Sequence, residues 1–370
     1  MKEKKVNSLA RVFLLWSLGI ALANAMLYPY LLEIGFTTLD ILVFFSIAYL
    51  VPSLSLLLVG KMNAEKALLW GLGATGVGWA LLGVLGGYAG LGAMLLLGGM
   101  AFVFFWVPFN ALWFEEGKWG NAFQGAVYYG IMVVIGILGP ALGGVVVDYL
   151  GYVAVFLLAG AIMVLAGGVS RKVWKGKEVL LGAKKGLEAV SGLKTLFFLE
   201  GSTLFGIQVL IFVVTLEYFT KPLEYGVFLT ATTLVAVLFS LVFAKISDKQ
   251  QRRREFLVVS SLGLGLSLGL AAFAIELWVW FAAMVLVGFF RSVFSPFPLA
   301  VLLDKKKDLR TAMYGRELIF NTARFTLAVA SVGIYLVTGS VRVPLMLTGL
   351  CAIAFAIAFE FSKKKKLDVK

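Results

Sequence analysis

The chain has no histidine and one cysteine, Cys351, in 370 residues. An imidazole base, a His/Cys metal centre and an intramolecular disulfide are thereby excluded, and no cofactor or metal is expected. Charge is scarce too. Only 14% of residues are Asp, Glu, Lys or Arg, against 61% apolar ones, and mean hydropathy is +0.96. A soluble fold of this length could not hide so much apolar surface, so lipid must cover it. A net charge of +13 would suggest nucleic acid in a soluble protein. In a chain this apolar it marks a membrane face instead, and no nucleic-acid partner is expected.

What is present is a pattern. Apolar runs of about 20 residues, each long enough to cross a bilayer core of roughly 30 Å as a helix, fall at about 11–32, 38–60, 67–87, 89–113, 121–147, 152–170, 194–219, 223–247, 255–274, 277–302, 311–338 and 341–361. The Lys and Arg residues collect in alternate gaps: Lys2 to Arg11, Lys61 and Lys66, Lys118, Arg171 to Lys194, Lys245 to Arg254, Lys305 to Arg310, and Lys363 to Lys370. The intervening gaps hold only Lys221 and Arg342. Short basic loops resist translocation, so the pattern predicts twelve transmembrane helices with both termini cytoplasmic. Residues 1–23 imitate a secretory signal, with Ala21-Leu22-Ala23 as a cleavage site. The apolar run continues through to Leu32, and the expectation is a first span.

The chain also repeats. A shift of 184 residues places Asn24 on Gln208, Glu33 on Glu217, Asp40 on Glu224, Gly60 on Ala244 and Lys61 on Lys245; a shift of 190 places Gly98 on Gly288, Pro108 on Pro298 and Gly143 on Gly333. The longer second-half loop, Lys249 to Arg254, absorbs the difference. Two parallel six-helix bundles follow, over 1–170 and 194–370, joined by a cytoplasmic linker, 171–193, with room for a short amphipathic stretch on the membrane surface.

Three local patterns carry a family resemblance. The segment Ala244-Lys-Ile-Ser-Asp248-Lys249-Gln-Gln251-Arg252-Arg253 keeps the Asp and basic residues of a loop signature whose usual form is Gly-x-x-x-Asp-Arg/Lys-x-Gly-Arg/Lys-Arg/Lys. Its first-half copy retains Gly60 but has Ala64 in the Asp position. The fifth apolar run contains Gly139-Pro140-Ala141-Leu142-Gly143-Gly144, similar to a glycine-proline motif of exporters. Over essentially its whole length the chain resembles the major facilitator superfamily of secondary transporters, exporter-like. The resemblance implies an all-α integral membrane protein of two six-helix pseudo-repeats, a monomeric permease in the cytoplasmic (inner) membrane that moves a small molecule by alternating access. Its partners would be the solute, protons and membrane lipids. An uncoupled or uptake carrier for an anionic or zwitterionic solute, and a non-transporting receptor on the same scaffold, remain open; an enzyme is not expected, for want of His and of clustered carboxylates.

Polar residues at mid-membrane depth are costly and mark where function concentrates. Asn24 and Gln208 occupy equivalent depths of the first and seventh helices, which line the cavity in the resembling family; Asn110, after Pro108, is a further cavity residue. Arg291, Arg316 and Arg324 lie within apolar runs. Arg291 and Arg324 form either half of structural Arg–Glu pairs or a cationic wall for an anionic solute. Their carboxylate partners would be Glu200 and Glu317, which are also the proton-coupling residues. Asp248, with Lys249, Arg252 and Arg253, reads as a helix latch or a headgroup anchor, and Gly139, Pro140, Gly143 and Gly144 as a bend or a packing face. The sequence Gly71-Leu-Gly73-Ala-Thr-Gly76 matches a dinucleotide fingerprint only formally. It has no preceding strand and is expected to pack helices.

Overall fold

The computed structural model describes residues 2–59, 61–116, 121–171, 178–180, 182–248, 253–305 and 308–362. The first half comprises α1 (Lys2–Glu33), α2 (Thr38–Leu58), β1 (Lys61–Asn63), α3 (Ala64–Leu85), α4 (Gly87–Glu116) and α5 (Asn121–Ser170). After β2 (Glu178–Leu180) and α6 (Ala183–Ala189) come α7 (Lys194–Phe205), a π turn (Gly206–Leu210) and α8 (Ile211–Thr215). The second half continues with α9 (Pro222–Asp248), α10 (Arg253–Phe273), α11 (Leu277–Phe294), α12 (Pro296–Lys305), α13 (Leu309–Thr338) and α14 (Arg342–Ser362).

Among the described residues eleven helical segments are long and apolar enough to cross a membrane. One of them, Gly130–Ser170, runs for 41 residues, about twice what one crossing needs. At Gly151 the backbone takes φ 80°, ψ 171°, which a side chain would oppose, and the chain turns back there. Counting this hairpin as two crossings gives the expected twelve. α7, the π turn and α8 make one crossing, and α11 with α12 another. Pro296 starts α12 at the position where its missing N–H is harmless.

Local chemistry sets several ends. Thr37 and Asp40 form a reciprocal capping box at α2, Asn63 accepts from the Glu65 and Lys66 amides at α3, and Asp308 caps α13 through Thr311 N–H. Gly339, at φ 67°, closes α13 in the left-handed conformation. Two of the three fingerprint-like glycines, Gly71 and Gly76, pack helices as expected, while Gly73 faces open space. A Cβ on Gly71 would lie 2.8 Å from the Phe105 amide of α4, and one on Gly76 2.7 Å from the Gly160 carbonyl of α5.

An even number of crossings puts both chain ends on one face, here called the terminal face; the other is the far face. Two seams join the halves: α2 against α13, and α5 against α9. In the second, Thr230 donates to the Ile137 carbonyl (2.7 Å) and accepts from the Ala141 amide (3.2 Å), bridging the two groups that a helical i→i−4 bond would join. Gly226 meets the Pro140 carbonyl, and a Cβ on Gly144 would lie 2.8 Å from Leu223 Cα. Gly139 and Gly143 face α1 at Ala21 and Leu22. At the terminal face Tyr314 donates to the Leu56 carbonyl. The linker is built into this closure. β2 pairs antiparallel with β1, Met62 opposite Val179, and α6 docks on α13 with Gly186 against Tyr314 and Gly315.

Candidate functional site

A cavity of about 210 Å³ lies inside the first-half bundle against the seam with α13. α1 contributes Trp16, Ile20, Asn24 and Leu27; α2 contributes Phe44, Phe45, Ala48, Tyr49 and Pro52; α3 gives Thr75 and Trp79. α4 adds Met94, Leu95, Gly98, Gly99, Phe102, Phe105 and Trp106, and Asn321 enters from α13. The floor is aromatic. Trp16 stacks on Phe105 (centroids 5.0 Å, 20°) and meets Trp106 edge-on (4.7 Å, 77°), geometries that favour aromatic rings over plain aliphatic packing.

Its polar groups come from both halves. Asn24 is half-buried, and its amide makes no hydrogen bond among the described residues. Asn321 is fully buried: its Nδ2 donates to the Glu317 carbonyl (2.8 Å), while its Oδ1 has no partner. That bond ties the cavity to a buried charge cluster one turn away.

In that cluster Arg316 bridges Glu200 of α7 (2.9 Å) and Glu317 (3.2 Å), all three residues being at most 9% exposed. Arg316, Phe320 and Arg324 follow one another by single turns of α13, so the Phe320 ring lies 4.1 Å from the Arg316 guanidinium carbon and 5.0 Å from that of Arg324. Arg324 also lies 5.7 Å from the Tyr49 ring, and its Nε has no hydrogen-bond partner. Glu200 Oε2 likewise has none. One cation thus serves two carboxylates, with a second cation two turns on.

Of the five residues expected to bind substrate, Asn24 lines this cavity. Asn110 is buried and accepts from the Tyr128 hydroxyl (3.1 Å). Gln208 sits in the π turn, where its carbonyl accepts from Tyr28 (2.6 Å). Arg291 is half-buried in the last turn of α11. Neither it nor Arg324 belongs to the lining. Glu200 and Glu317 come together, but on Arg316 rather than on the other two arginines. Gly60, Lys249 and Arg252 lie outside the described residues; Asp248 ends α9 and Arg253 begins α10, with side chains outside the description.

Arg316 and Asn321 were the residues the sequence reading passed over for the site. Both carried a signal, since Glu317, Asn321 and Arg324 recur at helical spacing on one run and Arg316 adjoins them.

Residues 195–368 match the model of the Major Facilitator Superfamily. The match covers just under half of the chain, and it is the second half that is similar to that superfamily. Two solved structures share the fold of the chain over nearly the whole length. The human organic anion transporter MFSD10 (TETRAN) is 15% identical, with a TM-score of 0.68 over 96% of this chain and 99% of that one. A POT family transporter in complex with 5-aminolevulinic acid is 15% identical, with a TM-score of 0.69 over 98% of this chain and 96% of that one. Among curated protein sequences the chain has no match. The matched half is the one that keeps the Asp248 signature, whereas the first-half copy has Ala64.

Proposed function

We propose that the protein is a secondary active transporter that carries a small organic solute across the cytoplasmic membrane by alternating access, outward and coupled to protons. The observation that carries this reading is one cavity with amides from both halves, Asn24 on α1 and Asn321 on α13. Relative motion of the halves would split that polar pair, which is what a rocking carrier requires. The two seams supply separate closures: α2–α13 with Tyr314 and the β1–β2 pair, and α5–α9 with Gly144, Gly226 and Thr230. Outward transport is supported by the exporter-like segment, whose glycines touch α1 and α9 at once, so a bend there would move a cavity wall and a seam together. Proton coupling is supported by Glu200 and Glu317 sharing Arg316 one turn from Asn321.

The test is solute flux in vesicles under an imposed pH gradient. Glu200→Gln should remove the pH dependence while transport persists. A native pH profile in that variant would count against coupling. A ligand that stabilises the protein yet never crosses would replace the transporter by a receptor.

A second reading, an uncoupled carrier of an anionic or zwitterionic solute, is favoured by Arg324, whose Nε is free and whose charge offsets the surplus carboxylate. The two structural relatives are described with an organic anion and with 5-aminolevulinic acid. Under this reading Arg324→Gln abolishes anion binding and pH has little effect.

A further inference from the structure

We propose that the cavity takes an uncharged, planar aromatic solute of roughly one to two rings that donates a hydrogen bond to Asn321. The inference rests on the transporter reading only for placing this cavity on the transport path.

Charge decides first. No Asp, Glu, Lys or Arg lines the cavity, among the described residues, and its surface is mostly hydrocarbon and ring. An ion moved from water into such a space loses hydration that nothing in the lining returns. Arg324 is one source of relief, but it stands outside the lining with its guanidinium near the rings of Tyr49 and Phe320, and on the same helix Arg316 is held by its two carboxylates. Arg316, Arg324, Glu200 and Glu317 sum to zero when all are ionised. They present no net charge to a solute.

Size and shape follow. A volume of 210 Å³ is that of about seven liquid waters. Trp16, Phe45, Trp79, Phe102, Phe105 and Trp106 surround it, and flat rings recover more contact with such walls than flexible chains do.

The polar end is specific. Asn321 Nδ2 is already spent on the Glu317 carbonyl, which fixes the amide with Oδ1 as an unpaired acceptor in a fully buried position. A buried acceptor without a donor is destabilising, so a solute N–H or O–H that meets it, once a small shift of the lining uncovers the closed-off Oδ1, gains what the empty cavity forgoes. Asn24 can donate and accept at the same cavity. A primary carboxamide or a phenol on a ring satisfies both; a carboxylate satisfies neither charge nor donor.

Three matched probes test this by calorimetric titration of purified protein: nicotinamide, its anionic isostere nicotinate at neutral pH, and N,N-dimethylnicotinamide, which lacks the donor. Nicotinamide should bind about tenfold or more tightly than nicotinate. It should exceed the dimethyl amide by about three- to tenfold, as the loss of one buried hydrogen bond predicts. In Asn321→Ala the ratio between nicotinamide and the dimethyl amide should fall towards one. Nicotinate binding as tightly as nicotinamide overturns the uncharged class; equal binding of the two amides to the native protein overturns the donor; no binding by any of the three overturns both. The native comparison stands even if the variant fails to fold. Flux of labelled nicotinamide into protein-containing vesicles, against empty ones, is read separately. Binding in the expected order without flux would leave the ligand class intact and defeat the transporter reading instead.

Discussion

Replacing Arg316 by Met should be among the most damaging single changes in the membrane-embedded part of this chain, and the damage should be partly repairable. Arg316 holds Glu200 at 2.9 Å and Glu317 at 3.2 Å, and these carboxylic residues are 2% and 5% exposed. Breaking a buried ion pair from one side leaves a charge with nothing to answer it, at a cost of about 3–5 kcal/mol. The ring contacts of Arg316 with Phe320 (4.1 Å) and Phe197 (5.6 Å) disappear as well. These add about 0.5–2 kcal/mol. Arg324, two turns away, partly offsets the loss because its field reaches Glu200. A net loss of about 3 kcal/mol corresponds to a fall in Tm of about 6–12 °C, using the scale for medium-sized domains. Thermal unfolding of detergent-purified protein, followed by the fluorescence of its nine tryptophans, is the assay. Combining Arg316→Met with Glu317→Gln should recover part of the loss, because the charges that remain, Glu200 and Arg324, cancel. Either Glu→Gln change alone should be mild, since Arg316 keeps its other partner. A single variant within about 1 °C of native, or a double variant worse than the single, would show that this cluster is not the charge-balanced unit described here.

Thr230→Val keeps the shape but removes the hydroxyl that serves Ile137 and Ala141, and should cost about 1–3 kcal/mol in the same assay; an unchanged Tm would mean that α5 closes its own backbone bond there. Gly226→Val drives a branched side chain into the Pro140 carbonyl and should cost about 1–3 kcal/mol while slowing flux in vesicles, and native flux would argue that the α5–α9 seam does not limit motion. In a Cys351→Ala background, cysteines at Leu56 and Tyr314 joined by a short bifunctional thiol reagent should arrest transport until the link is cleaved. Continued transport by the linked protein would remove the α2–α13 contact from the gating scheme.

The membrane architecture was legible because it depends on quantities that survive coarse reading. Hydropathy over about 20 residues needs no knowledge of which way a helix is turned, and the spans expected at 121–147 and 152–170 bracket Gly151, where the chain reverses. The parallel repeat was legible for the same reason, as a register along the chain. What the chain does between its long helices was less so. The linker was read only as having room for a short amphipathic stretch; within it α6 is seated on α13, and the basic Lys61 belongs to a strand that the linker completes. Nothing in the composition of 178–180 announces a pairing with 61–63. The pairing is made by tertiary proximity of two short segments that have no periodicity to read.

The site was harder because it depends on azimuth. Successive residues of a helix point about 100° apart, so a residue of the right depth faces cavity, neighbour or lipid according to a rotation that the sequence does not state. Asn24, on which depth and the repeat agreed, lines the cavity. Its repeat partner Gln208 has the same depth, yet it falls in a π turn, where one extra residue re-aims the side chains that follow and its carbonyl is taken by Tyr28. The arginines show the same limit. Arg324 has the central position that the depth argument favours, but it is Arg316, two turns nearer the terminal face, that meets a carboxylate 116 positions earlier in the chain. Choosing between them required knowing which face of α13 turns towards α7. Once that rotation is fixed, a single stripe of α13 explains three roles: Arg316 neutralises Glu200 and Glu317, Phe320 separates the two guanidiniums, and Asn321 carries the polarity of that stripe into a cavity built mostly by the other half. A rotation of α13 would therefore alter charge pairing and solute contact together, and that shared dependence is how a change of protonation could be felt in the cavity.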